Sequence, residues 1–191
     1  MKKIICYGDS NTYGWDPRDF FGTPYDYPWP TILAQRLHAQ TINLGEPGRE
    51  IPVSRNELVW LYSELTRHAP ADLLIIMLGT NDLLTMYQPI GERPVTRMKA
   101  LLDTLQNWEF HIPILLLIPA NPRIPMDSQN SIYLNACKTL AEGYQKLAAT
   151  YPNVTCIDIN QWGLPLAFDG VHLTEEAHIT LGQKLAELIH P

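Results

Sequence analysis

The feature that most constrains the fold of this chain is a repeated alternation of a short apolar run with a longer amphipathic segment. The apolar runs are residues 3–7, 41–44, 73–78, 114–118 and 154–159. Several of them are continuous rather than alternating, which is typical of strands that are buried on both faces. Strands that alternate with helices form a parallel sheet covered by helices on both sides. The sequence therefore predicts a three-layer α/β/α sandwich with a five-stranded parallel sheet.

The segments between these runs have the spacing of helices. They are residues 28–37, 57–67, 95–108, 128–150 and 175–189. In the last of them Thr174 is placed to cap the helix, and Glu175 and Glu176 follow in the first turn, where the helix dipole favours acidic side chains. The chain has 191 residues and contains no linker-like stretch, so we expect one domain spanning residues 1–191.

Charge and composition exclude several classes of partner. The chain has 14 Lys and Arg against 20 Asp and Glu, a net charge of −6, and no basic run. We therefore expect no nucleic-acid partner, because that affinity rests on neutralising phosphates. No apolar stretch approaches the ~20 residues of a membrane span, so no membrane partner is expected either. Three cysteines do not make a disulfide framework, which favours a reducing, cytoplasmic location.

Polar residues follow four of the predicted strands, where ligands bind in sheets of this kind. Ser10 follows the first strand, a turn with two glycines (Gly45 and Gly48) follows the second, and Asn81 comes after the third. Asp169 and His172 share one short loop before the last helix. Each has an ordinary structural explanation: a helix cap, a turn glycine, an Asx-turn, and a structural hydrogen bond or half of a metal site.

Taken together, these residues supply the groups needed for acyl transfer through a covalent intermediate: a hydroxyl, a base with an orienting acid, and hydrogen-bond donors. A metal site would need further ligands at a suitable spacing, and the remaining histidines do not cluster with the Asp169–His172 pair, so no metal is expected; they are His38, His68, His111, His178 and His190. A phosphate-binding Walker loop is excluded because the chain has no Gly-Lys-Ser/Thr ending. The serine elbow of α/β-hydrolases is excluded because Thr12 stands where its second glycine would be. No cofactor is expected.

The order and spacing of these residues resemble those of the SGNH (GDSL) hydrolases, which are named for the Ser, Gly, Asn and His of four separated blocks. The corresponding blocks here are Gly8-Asp9-Ser10-Asn11, the turn ending in Gly48, Gly79-Thr80-Asn81-Asp82 and Asp169-Gly170-Val171-His172. Within that family, residues 6–15 and 75–82 are most similar to small bacterial arylesterases and acyltransferases. One departure is Asn11, where the family often has Leu, and we expect this position to take no part in the chemistry.

The resemblance implies a flavodoxin-like SGNH hydrolase fold and a role for each block. Ser10 is the expected nucleophile, His172 the general base and Asp169 its orienting acid. The backbone N–H groups of Ser10 and Gly48 and the side-chain amide of Asn81 are the expected oxyanion hole. Trp15 is expected to line the substrate pocket, whereas the other aromatic residues of 15–29 are compatible with either a pocket or a subunit contact. Two further acids, Asp9 and Asp82, are expected to brace turns.

We therefore expect a serine esterase that hydrolyses short-chain acyl esters through a Ser-His-Asp triad and an acyl-enzyme. Two alternatives stay open. One is an acyltransferase or perhydrolase that uses the same acyl-enzyme, and the other is a non-catalytic α/β binding domain. The expected partner is a small-molecule ester, and the sequence leaves a homo-oligomer open.

Overall fold

The sheet has five parallel strands in the computed structural model, which describes residues 1–85, 90–123 and 127–189. The strands are β1 (Lys3–Gly8), β2 (Gln40–Gly45), β3 (Leu73–Met77), β4 (Ile114–Ile118) and β5 (Val154–Asp158). Their order across the sheet is β2-β1-β3-β4-β5. Every predicted strand is present, with bounds that differ by at most one residue, and the predicted parallel α/β architecture is confirmed.

Seven helices occur in the described residues. They are α1 (Ser10–Tyr13), α2 (Trp29–Leu37), α3 (Arg55–His68), α4 (Thr80–Leu84), α5 (Glu92–Gln106), α6 (Asp127–Ala148) and α7 (Glu175–Ile189), and a 3-10 turn spans Ile159–Trp162. The sequence did not predict α1 or α4, because a helix of one turn is too short to show a repeating apolar pattern. None of the helices in the described part of the chain is both long enough and apolar enough to cross a lipid bilayer.

Helices cover both faces of the sheet, as the continuous apolar runs predicted. Successive side chains of a strand point to opposite faces, so Ile5 and Tyr7 join one core cluster while Ile4 and Cys6 join the other. The first cluster is completed by α3, α5 and α6 through residues that include Leu61, Met98, Leu101 and Leu140. The second is completed by α2 and α7 through residues that include Trp29, Leu33, Leu181 and Leu185.

The register of the sheet brings the turns that follow β1, β2 and β3 together. Gly8, the last residue of β1, pairs with Gly45 of β2 on one side and with Met77 of β3 on the other. All five strands run in the same direction, so the segments that leave their carboxyl ends lie along one edge of the sheet. Residues 9–13, 46–51 and 78–84 are neighbours for this reason.

Candidate active site

Ser10, His172 and Asp169 form a continuous hydrogen-bonded line. Ser10 Oγ is 3.0 Å from His172 Nε2, and His172 Nδ1 is 2.5 Å from Asp169 Oδ2. The serine and the histidine are 162 residues apart in the sequence, so only the folded chain brings them together. A hydroxyl, an imidazole and a carboxylate in this order can move a proton from the serine to the histidine while the carboxylate stabilises the charged ring.

The turn after β1 determines where Ser10 lies. Asp9 caps α1 by accepting a hydrogen bond from Asn11 N at 2.9 Å, and Ser10 is the first residue of that helix. A backbone N–H in the first turn of a helix has no partner within the helix, so that of Ser10 is free to bind an oxyanion. Gly8 must be glycine here, because a Cβ at this position would lie 2.0 Å from Thr12 Oγ1.

The loop that carries His172 is held by Asp169. Asp169 Oδ1 accepts hydrogen bonds from Val171 N at 2.9 Å and from His172 N at 3.0 Å, while Oδ2 faces the ring. Partial burial raises the pKa of Asp169, but the hydrogen bonds from His172 and Val171 outweigh burial and keep the pKa below its ordinary value. The carboxyl group is therefore ionised at neutral pH and fixes the orientation of the imidazole.

The two other predicted oxyanion donors, Gly48 and Asn81, lie in segments that contact each other. Gly48 adopts a left-handed conformation (φ +79°) in the turn after β2. Asn81, in α4, donates one N–H of its amide to Arg49 O at 2.9 Å and so contacts the residue that follows Gly48. This hydrogen bond joins Asn81 to the Gly48 turn. The turn follows β2, the strand that pairs with β1.

Buried acidic and basic side chains brace the segment that follows Gly48. Asp82 is fully buried, accepts a hydrogen bond from Ile51 N at 3.1 Å and pairs with Arg97 at 2.8 Å. Burial raises the pKa of Asp82 to about 6, although the Ile51 N–H and Arg97 oppose this shift. Arg97 also pairs with Glu50. The contacts of Asp82 are those expected of a residue that braces a turn.

Arg49 is a structural residue that the sequence analysis missed. Its guanidinium packs over the neighbouring rings of Tyr7 and Trp60, 4.5 and 4.8 Å from their centroids. One nitrogen donates to Gly8 O at 2.9 Å and to Leu44 O. Arg49 thereby ties the ends of β1 and β2 together directly beside Gly48. No local pattern marks it, because each of these contacts depends on how the strands pair.

The aromatic segment 15–29 divides into three environments. Trp15 lies against His172, with ring centroids 6.1 Å apart and an interplanar angle of 28°, which is compatible with the predicted position at the substrate pocket. Tyr25 and Trp29 are buried in the core. Phe20 and Phe21 are 95% and 90% exposed, so they contribute nothing to the core.

We find no arrangement of three His, Cys, Asp or Glu side chains that would suit a metal ion in residues 1–85, 90–123 and 127–189. His178, which is fully buried, accepts a hydrogen bond from Trp29 N at 3.3 Å and so caps α2 from α7. Burial lowers the pKa of His178 to about 3, so the ring is neutral at physiological pH. Its contact is structural.

Asp9 is buried directly before the candidate nucleophile, and burial raises the pKa of its carboxyl to about 7. The same group titrates near ~4 in an unfolded chain. Between about pH 4 and pH 7 the folded protein therefore binds more protons than the unfolded chain. By linkage, raising the pH through this window lowers the free energy of unfolding.

The Asp9→Asn variant is expected to remove this part of the pH dependence, because its amide oxygen can still accept the Asn11 N–H. From pH 5 to pH 8, the wild type should lose on the order of 2 kcal/mol more unfolding free energy than the variant. Urea denaturation of both proteins at the two pH values measures this difference. Equal losses in the two proteins would show that Asp9 does not titrate in this range.

Both the sequence and the fold are similar to those of known proteins. The sequence matches the profile of the GDSL-like Lipase/Acylhydrolase family over residues 6–178. The fold is similar to that of a proposed arylesterase from Agrobacterium tumefaciens (29% identity, TM-score 0.83, covering 99% of this chain and 98% of that one). It is also similar to an aryl esterase from M. smegmatis (28%, 0.77, 99% and 98%) and to Est24, a carbohydrate acetylesterase from Sinorhizobium meliloti (25%, 0.79, 99% and 98%). No individually curated protein matches the sequence.

Proposed function

The chain belongs to the GDSL-like lipase/acylhydrolase family and is a carboxylic ester hydrolase, and from this premise we propose that it hydrolyses short-chain acyl esters through a serine acyl-enzyme. The observation that carries the proposal is the line from Ser10 Oγ through His172 to Asp169, with hydrogen-bond distances of 3.0 and 2.5 Å. A short acyl chain is favoured by the similarity to Est24, which is named an acetylesterase.

In the proposed reaction Ser10 Oγ attacks the carbonyl carbon of the ester while His172 Nε2 takes the hydroxyl proton. The imidazolium that forms is stabilised by Asp169. The tetrahedral intermediate collapses, the C–O bond to the alcohol breaks, and His172 returns its proton to the departing alcohol. A water molecule then attacks the acyl-enzyme, His172 accepts the proton of that water, and the carboxylic acid leaves as Ser10 regains its proton.

The negative charge of the tetrahedral intermediate needs donors at the carbonyl oxygen. We assign this role to the backbone N–H groups of Ser10 and Gly48 and to the second N–H of the Asn81 amide. Such donors contribute most when they are oriented before the reaction begins. Support comes from the Asn81 contact with Arg49 O, which fixes one N–H and thereby the plane of the amide.

The Asn81→Ala variant should lower kcat for p-nitrophenyl acetate by about 10²–10³-fold, with little change in KM, because the lost donor acts mainly on the transition state. Steady-state kinetics separate the two constants. Asn56→Ala is a matched control, because Asn56 also lies near the Gly48 turn but belongs to α3. A fully active Asn81→Ala enzyme would show that this amide is not an oxyanion donor.

The proposed function is tested by measuring the hydrolysis of p-nitrophenyl esters from acetate to octanoate. We expect kcat/KM to be highest for the shortest esters and to fall as the acyl chain lengthens. Treatment with an organophosphonate should label one serine and abolish turnover. If the protein shows no turnover and no labelling, the proposal is contradicted and the non-catalytic binding domain is favoured.

Acyl transfer is a second candidate, and the position of Trp15 favours it. The indole ring lies against His172, which places apolar surface beside the atom that must activate the attacking water. An alcohol acceptor competes better with water at such a surface. Product analysis with added alcohol distinguishes the two reactions: an alkyl acetate indicates transfer, whereas free acetate alone indicates hydrolysis.

A further inference from the structure

We propose that Asn11 is a positioning residue that holds His172 in line with Ser10. Its side-chain amide makes two long-range hydrogen bonds to the loop that carries the histidine. Asn11 Oδ1 accepts from Leu173 N at 2.8 Å, and Asn11 Nδ2 donates to Val171 O at 3.2 Å. The two backbone groups belong to the residues on either side of His172. The inference rests on the proposed function, because it assigns a purpose to the alignment of the proposed nucleophile and base.

The planar amide of Asn11 has one acceptor and one donor side at a fixed distance. It therefore sets the backbone both before and after His172, and rotation of the loop about its own axis would break one of the two bonds. On its other side, Asn11 is joined to Ser10 by a peptide bond, and its backbone N–H is held by Asp9 Oδ1. The nucleophile is therefore linked to the loop of the base through one peptide bond and the Asn11 amide.

The other polar contacts of the His172 loop do not reach the nucleophile's helix. Asp169 binds the N–H groups of Val171 and His172 within the loop itself. Gly170 O accepts from Arg123 N at 2.7 Å, and Ala167 N donates to His172 O at 2.7 Å. In the described residues, α1 and this loop are joined by the Ser10 to His172 contact and by the two hydrogen bonds of Asn11.

Burial makes these bonds sensitive to substitution. Asn11 is only 4% exposed and Leu173 is fully buried. If the acceptor is removed, the Leu173 N–H is left without a partner in a place that water does not reach. The loop can then lower its free energy by shifting until this N–H finds another acceptor. A displacement of the base by about 1 Å can cost on the order of 100-fold in rate. The proposal keeps Asn11 out of direct contact with the substrate and gives it an effect on the rate through the position of His172.

The Asn11→Leu variant tests the proposal because it keeps the side-chain size, removes both bonds and installs the residue common in the family. We expect kcat for p-nitrophenyl acetate to fall about 10- to 100-fold with KM unchanged within about twofold. The rate of organophosphonate labelling of Ser10 should fall by a similar factor, because labelling uses the same His172 base. Rates are normalised to the number of active sites that the phosphonate titrates at completion.

Two further variants separate positioning from stability. Asn11→Asp keeps the acceptor for Leu173 N but sets a carboxylate oxygen against Val171 O in place of the donor, so its kcat should also fall below that of the wild type. It also serves if the leucine variant does not fold. Asn153→Leu is the matched control, because Asn153 Nδ2 likewise donates to a backbone oxygen, Ile112 O at 3.2 Å, but at the opposite edge of the sheet. It should lower the urea midpoint and leave kcat unchanged.

The outcomes are distinct. Unchanged kcat per titrated site in both Asn11 variants would overturn the positioning role while the proposed function stands. A wild-type protein that neither turns over the ester nor reacts with the phosphonate would overturn the proposed function, and the positioning role with it. Equal losses of kcat in Asn11→Leu and Asn153→Leu would attribute the effect to general destabilisation and would also contradict the inference.

Discussion

Replacing Ser10 with alanine is expected to lower kcat for p-nitrophenyl acetate by at least ~10⁴-fold, since removal of the nucleophile of a catalytic triad leaves only binding and the oxyanion donors. In the variant His172 has no hydroxyl to deprotonate, and no acyl-enzyme can form. The fold should be unaffected: Asp9 still caps α1, and alanine is a good helix residue. Ester hydrolysis and phosphonate labelling are measured on wild type and variant side by side.

The matched control for Ser10→Ala is Ser63→Ala. Ser63 is a helical serine of α3 whose hydroxyl donates to Trp60 O in the preceding turn, so the substitution removes a hydroxyl without touching the candidate site. Its kcat should equal that of the wild type. Turnover and labelling that persist in Ser10→Ala would mean that the nucleophile has been assigned to the wrong residue.

The second large effect is expected for Asp169→Asn, with a loss of about 10⁴-fold in kcat. The asparagine oxygen can still accept the N–H groups of Val171 and His172, so the loop should keep its shape. The amide nitrogen, however, would then face His172 Nδ1 and donate to it. That contact favours the tautomer with the proton on Nε2, which cannot accept the proton of Ser10 Oγ. The imidazolium would also lose its counter-charge.

Asp158→Asn controls for the loss of a turn-capping carboxylate. Asp158 Oδ1 accepts from Asn160 N at 3.0 Å at the start of the 3-10 turn after β5, much as Asp169 Oδ1 accepts within its own loop. We expect kcat to be unchanged within about twofold in this control. If Asp169→Asn kept a tenth or more of the wild-type kcat, the carboxylate would not be the orienting acid of His172.

The central strands β1, β3 and β4 could be predicted to within one residue because burial on both faces leaves a physical trace in the chain. A strand such as Ile114–Ile118, covered by helices on each side, must be apolar at every position. The helices that cover it need an apolar stripe at helical spacing. These two periodicities are local properties of the sequence. The single-turn helices Ser10–Tyr13 and Thr80–Leu84 have no such period, and their ends depend on neighbouring turns.

The site was predictable only in part. Five residues could be named because they come after predicted strands and because their order and spacing resemble the four blocks of the SGNH hydrolases: Ser10, Gly48, Asn81, Asp169 and His172. Asn11 was expected to take no part in the chemistry, and the sequence suggested no role for Arg49. Both act through backbone carbonyl or N–H groups that are remote in sequence, and such partners carry no residue-specific signal.

By itself the sequence determined which groups are available and which edge of the sheet they occupy, because the hydrophobic period and the alternation of strands with helices along the chain follow from the local sequence. Only the tertiary structure decided how those groups are oriented. The 3.0 Å between Ser10 Oγ and His172 Nε2, the Trp15 ring beside that histidine and the Asn11 amide across its flanking peptides all join residues more than 150 positions apart. Distances of this kind are set by the packing of whole elements, and no stretch of sequence contains them.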